Sequence, residues 1–254
     1  MKQSLILWLS AIVITFLVSY AQRISSIDYP VSGTIDAKEG SFSFSFDKTG
    51  RTKTGYKVWV VSDFSGLKGN LFWRDKNDSS GWQTIEMTDT GKALYAVIPQ
   101  QKPMTLIEYR VKIFDQNKTY LLPVKTNVLL TFLNPVPDEI VQFYFITLFA
   151  GLILSVRTAL ESFSEKPKIK KLSIFTAISF FSYTLVFNTV KKGVEIGAIG
   201  KGGIPLTDIF DQRSVLLFIV SIMTMILIFN TKKQKLWAFA GAFLTLAVFL
   251  LAKY

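Results

Sequence analysis

The sequence predicts a mixed chain: an exported all-β sandwich over 22–134, then an α-helical transmembrane domain over 135–254. Three observations predict it. Residues 29–133 form short runs with period-two alternation, separated by turn chemistry. Residues 140–252 hold four long apolar runs. Between these regions, Pro135 and Pro137 lack the N–H a strand ladder needs, and Pro137 suits a first helical turn. Asp138 and Glu139 then place negative charge at the positive end of a helix dipole.

The first element is the apolar run 4–20 (SLILWLSAIVITFLVSY). Two readings of 1–21 stand side by side. It is a signal peptide, with small Ser19 and Ala21 before a cut at Gln22, or it is an uncleaved N-terminal anchor at the lower limit of spanning length. Either one exports the β region.

Strands are expected at 41–46, 56–61, 71–74, 82–87, 93–98, 106–114, 119–123 and 128–133, eight or nine in all. The clearest is SFSFSF, which puts Phe42, Phe44 and Phe46 on one face. Turns rich in Asp, Asn, Gly and Pro separate the runs at 75–81, 89–91, 99–103 and 115–117. Trp59, Trp73 and Trp82 are expected to fill or rim the core; an aromatic platform for carbohydrate is the sharper alternative.

The pattern of 68–74 (KGNLFWR), 82–87 (WQTIEM), 93–99 (ALYAVIP) and Glu108-Tyr-Arg-Val resembles a fibronectin type III or immunoglobulin-like module. The likeness implies a strand arrangement and carries no catalytic residue.

Core spans are expected at 140–156, 172–190, 215–229 and 236–252. The connection 157–171 holds five Lys/Arg against two Glu, and 231–235 holds three Lys, so both are expected on the cytoplasmic side. The β domain and the loop 191–213 then lie outside. The apolar interiors of the spans carry no ionisable residue, which argues against pumps, proton relays and voltage sensors. Small and hydroxyl residues instead recur for helix packing: Thr147, Gly151, Ser155 and Ala159 every four, Ser173, Thr176, Ser179 and Ser182 every three, and Ala238, Gly241, Ala242 and Thr245 in the last span.

The outer loop 191–213 is glycine-rich and apolar for a loop. Gly203, Pro205, Thr207, Asp208, Asp211 and Arg213 form a candidate interaction site. Its polar end has two readings: a small site for a cation or partner on Asp208 and Asp211, or a helix cap by one of them with Arg213 at the headgroups. No phosphate-loop pattern occurs.

The order Pro–span–Arg157-Thr-Ala-Leu-Glu161, followed by 203–214 (GIPLTDIFDQRS), resembles uncharacterised bacterial multi-pass inner-membrane proteins with an exported immunoglobulin/fibronectin type III-like domain. That resemblance implies architecture, with Asp208 or Asp211 as the matching acid. It implies no activity.

Composition narrows the chemistry. With no Cys and no His, the chain has no thiol nucleophile, disulfide, Ser-His-Asp triad or ordinary zinc site, and only oxygen-ligand metals fit. The net charge of +11 sits largely beside apolar runs, as membrane topology requires, and a nucleic-acid stripe is not expected. No cofactor, metal or catalytic residue is assigned. The expected function is non-enzymatic: a protein of the bacterial inner membrane whose outward sandwich binds or assembles with an envelope partner in a larger complex. The alternatives are a passive transport or channel component, and a membrane-embedded enzyme using Asp208 and Asp211.

Overall fold

Alternation of serine and phenylalanine decides the first sheet. In a strand, successive side chains point to opposite faces, so 41–46 presents three phenyl rings to one side and three hydroxyls to the other. The computed structural model describes residues 2–26, 29–37, 40–63, 66–78, 81–115, 118–124, 126–199 and 210–251, and it divides into two compact units. One is Asp28–Pro135 with Glu195–Gly197; the other holds all the long helices. The fold is mixed α/β.

Among its described residues the β unit has eleven strands: β1 (Val31–Asp36), β2 (Ser41–Phe46), β3 (Thr49–Arg51), β4 (Tyr56–Ser62), β5 (Lys68–Asp75), β6 (Gln83–Glu86), β7 (Thr88–Asp89), β8 (Ala93–Ile98), β9 (Leu106–Asp115), β10 (Lys118–Leu122) and β11 (Val128–Leu133). One sheet has the order β1-β2-β4-β8-β7. The other has the order β3-β11-β9-β5-β6, with β10 also on β9. Pairing is antiparallel except for β3, which runs parallel to β11. The expected strands are all present. The three additions, β1, β3 and β7, are either short or interrupted by glycine, so periodicity marks them weakly.

The two sheets share one core. Phe42, Phe44 and Phe46 meet Val58, Val60, Leu94 and Ile98 of the same sheet, and Leu71, Tyr109, Val111 and Phe132 of the other. Each large apolar side chain fully buried in this way contributes about 1.5–3 kcal/mol. Tyr109 brings a polar tip with it, and its Oη donates to the Asp47 carbonyl at 3.2 Å. The turn before β4 requires glycine. Gly55 has φ of +69°, and a Cβ there would lie 2.6 Å from the Ile98 carbonyl oxygen.

On the outer face of the second sheet, Glu108 is the hub. Asn127 Nδ2 donates to its Oε1 at 2.7 Å, and Arg74 donates to its Oε2 from Nε at 2.8 Å and Nη2 at 2.6 Å. The Asn127 bond foremost, then Arg74, holds the carboxyl below its ordinary range. A depressed carboxyl adds stability that is present above its unfolded pKa and lost as pH falls through the folded one. Acidification below about pH 4.5 should therefore lower the β unit's thermal midpoint more in wild type than in Glu108→Gln. The effect should be under about 1 kcal/mol, because the Arg74 side chain is 41% exposed and water screens the pair. Identical pH profiles for the two proteins would show that the network adds nothing.

The helical unit contains α1 (Lys2–Ser25), α2 (Asp138–Leu160) with a 3₁₀ turn at Glu161–Phe163, α3 (Ile169–Phe181), a π-helical segment (Ser182–Asn188) running into α4 (Thr189–Glu195), α5 (Gln212–Asn230) and α6 (Gln234–Leu251). Among the described residues, five stretches are long and apolar enough to cross a membrane: Gln3–Ser25, Asp138–Phe163, Ile169–Glu195, Gln212–Asn230 and Gln234–Leu251. Tyr144, Leu148, Leu152, Phe180, Tyr183, Leu217 and Phe249 form the main core. The helix α1 belongs to this packing. Ala11 and Thr15 are buried, and Phe16 stacks on Phe149 at 6.2 Å.

Two expectations are corrected. The connection expected from Arg157 onward is helical to Leu160, and Arg157 and Glu161 are buried instead of solvated. Their i,i+4 spacing lets opposite charges pair on one helix face. In α3, Ser173 and Thr176 are buried but Ser179, and Ser182 at the start of the π-helical segment, are only half-buried. A three-residue step turns 300°, so the series drifts off the face, and Phe180, Tyr183 and Thr184 take its place. The four-residue series fares better: Gly151, Ser155 and Ala159 are buried, with Thr147 at the edge.

Candidate functional site

Strand parity builds the first candidate. In β4, Val58, Val60 and Ser62 face the core, so Lys57, Trp59 and Val61 must face out. In β8, Leu94, Ala96 and Ile98 face in, leaving Ala93, Tyr95 and Val97 outside. The register sets Trp59 opposite Tyr95, Lys57 opposite Val97 and Val61 opposite Ala93. The result is one contiguous outward patch. Its rings lie 5.0 Å apart at 36°, and Lys57 Nζ stands 4.6 Å from each centroid. Trp59 is 39% exposed, Val61 53% and Val97 40%. The neighbouring strands β1 and β2 show only Ser32, Thr34, Asp36, Ser41, Ser43 and Ser45 on this face. The apolar patch therefore has a hydroxyl-rich border.

The three tryptophans separate. Trp73 is in the core. Trp59 and Trp82 are on opposite outer faces, and Trp82 lies under Arg74 and Arg110 at 4.7 and 4.8 Å. Guanidinium groups thus cover the second sheet's ring, while the first sheet's patch has bare valines beside it. The signal for this was legible: a tryptophan between two β-branched core positions must point outward.

The second candidate is the polar end of the expected loop. Gly203, Pro205, Thr207 and Asp208 lie outside the described residues. Asp211 is the N-cap of α5, where its Oδ1 accepts the Ser214 N–H at 2.7 Å. Its Oδ2 accepts from Asn188 Nδ2 at 2.5 Å. Asn188 also reaches Ser214 Oγ at 3.2 Å, and Thr184 Oγ1 donates to the Ser214 carbonyl at 2.8 Å. The π-helical segment aims Tyr183, Thr184 and Asn188 into the bundle, and Thr189 Oγ1 donates back to the Thr184 carbonyl. Both carboxylate oxygens of Asp211 are therefore engaged in a cap and a latch between helices, which does not suit a general base. Arg213 is buried, its guanidinium 4.2 Å from the Phe249 ring. It is not at a solvated surface.

Asn188 and Thr184 were not anticipated as latch residues. The available signal was an amide inside an apolar run, which needs a partner across a helix interface. Among the described residues, no group of three or more His, Cys, Asp or Glu side chains could hold a metal. No family model matches the chain, and comparison with curated proteins gives no match.

Proposed function

We propose that the chain is a non-enzymatic integral protein of the bacterial inner membrane whose outward immunoglobulin-like sandwich binds a protein partner of the envelope through the Trp59–Tyr95 patch. The carrying observation is that patch. Outward positions of an antiparallel sheet facing water are ordinarily polar. Here two adjacent strands present Trp59, Val61, Tyr95 and Val97 together. Aromatic anchors inside a polar border are what a protein interface uses. Lys57 over both rings fits a partner with an apolar side chain flanked by a carboxylate.

The membrane reading has its own support. Large apolar side chains face outward on every long helix, among them Phe16, Phe145, Phe175, Met223 and Phe243, while Ser155, Thr176, Asn188 and Thr245 face inward. Such a surface suits hydrocarbon and not water. The Lys-rich ends of the connections after α2 and α5 fit the cytoplasmic side. The buried face of α1 supports a retained anchor over a cleaved signal peptide. The immunoglobulin-like reading draws on β4 pairing β8 in one sheet, β5-β9-β11 in the other, and the parallel β3–β11 pair.

A photo-crosslinking residue at Val61 or Val97 of the full-length protein in its native membrane should give one discrete adduct, and at Thr34 none. Trp59→Ala should reduce the Val61 adduct at least tenfold. Equal yields from Val61 and Thr34, or no discrete adduct at all, would defeat the reading.

A further inference from the structure

Seven hydroxyls from four helices converge in the helical unit: Ser155 and Thr158 of α2, Ser173 and Thr176 of α3, Ser221 and Thr224 of α5, and Thr245 of α6. They line a cavity of about 10 Å³, the room one water centre needs. Ala238 and Ala242 complete the wall, and their small side chains leave that room.

The protons on five of these hydroxyls can be followed one by one. Thr158 donates to the Leu154 carbonyl at 2.6 Å and Ser173 to the Lys170 carbonyl at 2.8 Å. Thr176 donates to Leu172 at 3.0 Å, Ser221 to Phe218 at 2.7 Å and Thr245 to Gly241 at 2.8 Å. A hydroxyl has one proton and two lone pairs. Five of the seven are therefore left with acceptor capacity alone toward the cavity. Ser155 differs. Like Thr224, it has no side-chain hydrogen bond among the described residues, but unlike Thr224 it is buried, 5% exposed, where it lines the cavity. A buried hydroxyl in that condition requires a partner.

We infer that this cavity is a specific site for one water molecule, held between the four helices by the Ser155 hydroxyl and the lone pairs of its neighbours. A water accepts the Ser155 proton and donates both its own to two of the acceptor-only hydroxyls. Three partners are what a buried water ordinarily has. A monovalent cation would also meet oxygen lone pairs. However, the lining holds no carboxylate, and a bare charge in an apolar bundle without a counter-charge is costly. The water joins α2 to two of the other helices through hydroxyls that already donate within their own helices, so it links them without unwinding any.

The test is a crystal structure of the full-length protein at about 2 Å or better. Wild type should show a single peak within hydrogen-bonding distance of Ser155 Oγ. Ser155→Val, which replaces the hydroxyl with methyl groups, should lose that peak while the helix positions are kept. Crystals soaked in thallium should show no anomalous signal there. No peak in wild type would overturn the site, as would a peak that survives Ser155→Val unchanged. A thallium signal would overturn water in favour of a cation. If Ser155→Val does not fold, the wild-type and thallium maps decide on their own.

Discussion

Replacing Glu161 by alanine should destabilise the helical unit by about 3–5 kcal/mol, because it strands the buried guanidinium of Arg157. Glu161 pairs with Arg157 Nη1 one helical turn away, and neither side chain is more than 5% exposed. Its other oxygen accepts the Lys168 N–H at 3.0 Å. The remaining support for Arg157 is the ring of Trp8, 5.4 Å away, and its Nε has no hydrogen-bond partner among the described residues. An exposed pair would be worth under about 1 kcal/mol, so burial decides the size of the effect. Replacing both partners, as Arg157→Met with Glu161→Leu, should cost far less than Glu161→Ala alone. Unfolding in mixed micelles with increasing SDS measures both. A single substitution costing under about 1 kcal/mol, or a double as damaging as the single, would rule out the buried-charge account.

The second large effect is expected at Gly241. A Cβ there would overlap Cγ2 and Oγ1 of Thr224 on the facing helix and lie 2.8 Å from its Cβ. Rotating Thr224 relieves at most one of the first two contacts, because two heavy atoms fill two of its three staggered positions, and it leaves the third. The helices must therefore separate, and Gly241→Ala should cost about 1–3 kcal/mol despite alanine's better helix propensity. Thr224→Ala in the same chain removes two of the three clashes and should restore part of the loss. Full additivity of the two substitutions in a double-mutant cycle would show that the contact does not set the helix spacing.

How legible all this was depends on how local each feature is. The SFSFSF strand and the apolar helices follow from periodicity alone, and the described residues bear them out. Trp59 was expected in or at the rim of the core, but its place between the inward Val58 and Val60 turns it outward. The strands β3 and β7, at three and two residues, are too short to show a period; partners distant in sequence create them. Arg157 and Glu161 look like the start of a solvated loop, because charge usually means water. Only their spacing of four hints at mutual neutralisation. Asp211 as a cap was one of two readings of the loop's polar end, and the Ser214 amide identifies it. The latch from Asn188 depends on a change of helical pitch that no propensity marks. The converging hydroxyls belong to four helices, and no single stripe in the sequence shows that they meet.

The parallel pair of β3 and β11 has a mechanical consequence. The strand β11 is the one by which the chain leaves the β unit. It is clipped to β3 at Thr131, Phe132 and Leu133, and the clip continues through Thr52 N–H to the Leu133 carbonyl and Thr52 Oγ1 to Asn134 Oδ1. A pull on the chain beyond Asn134, along the strand axis, loads these bonds together, in shear. They share the force and do not peel one after another. The unit is therefore built to keep its shape under tension entering at that end.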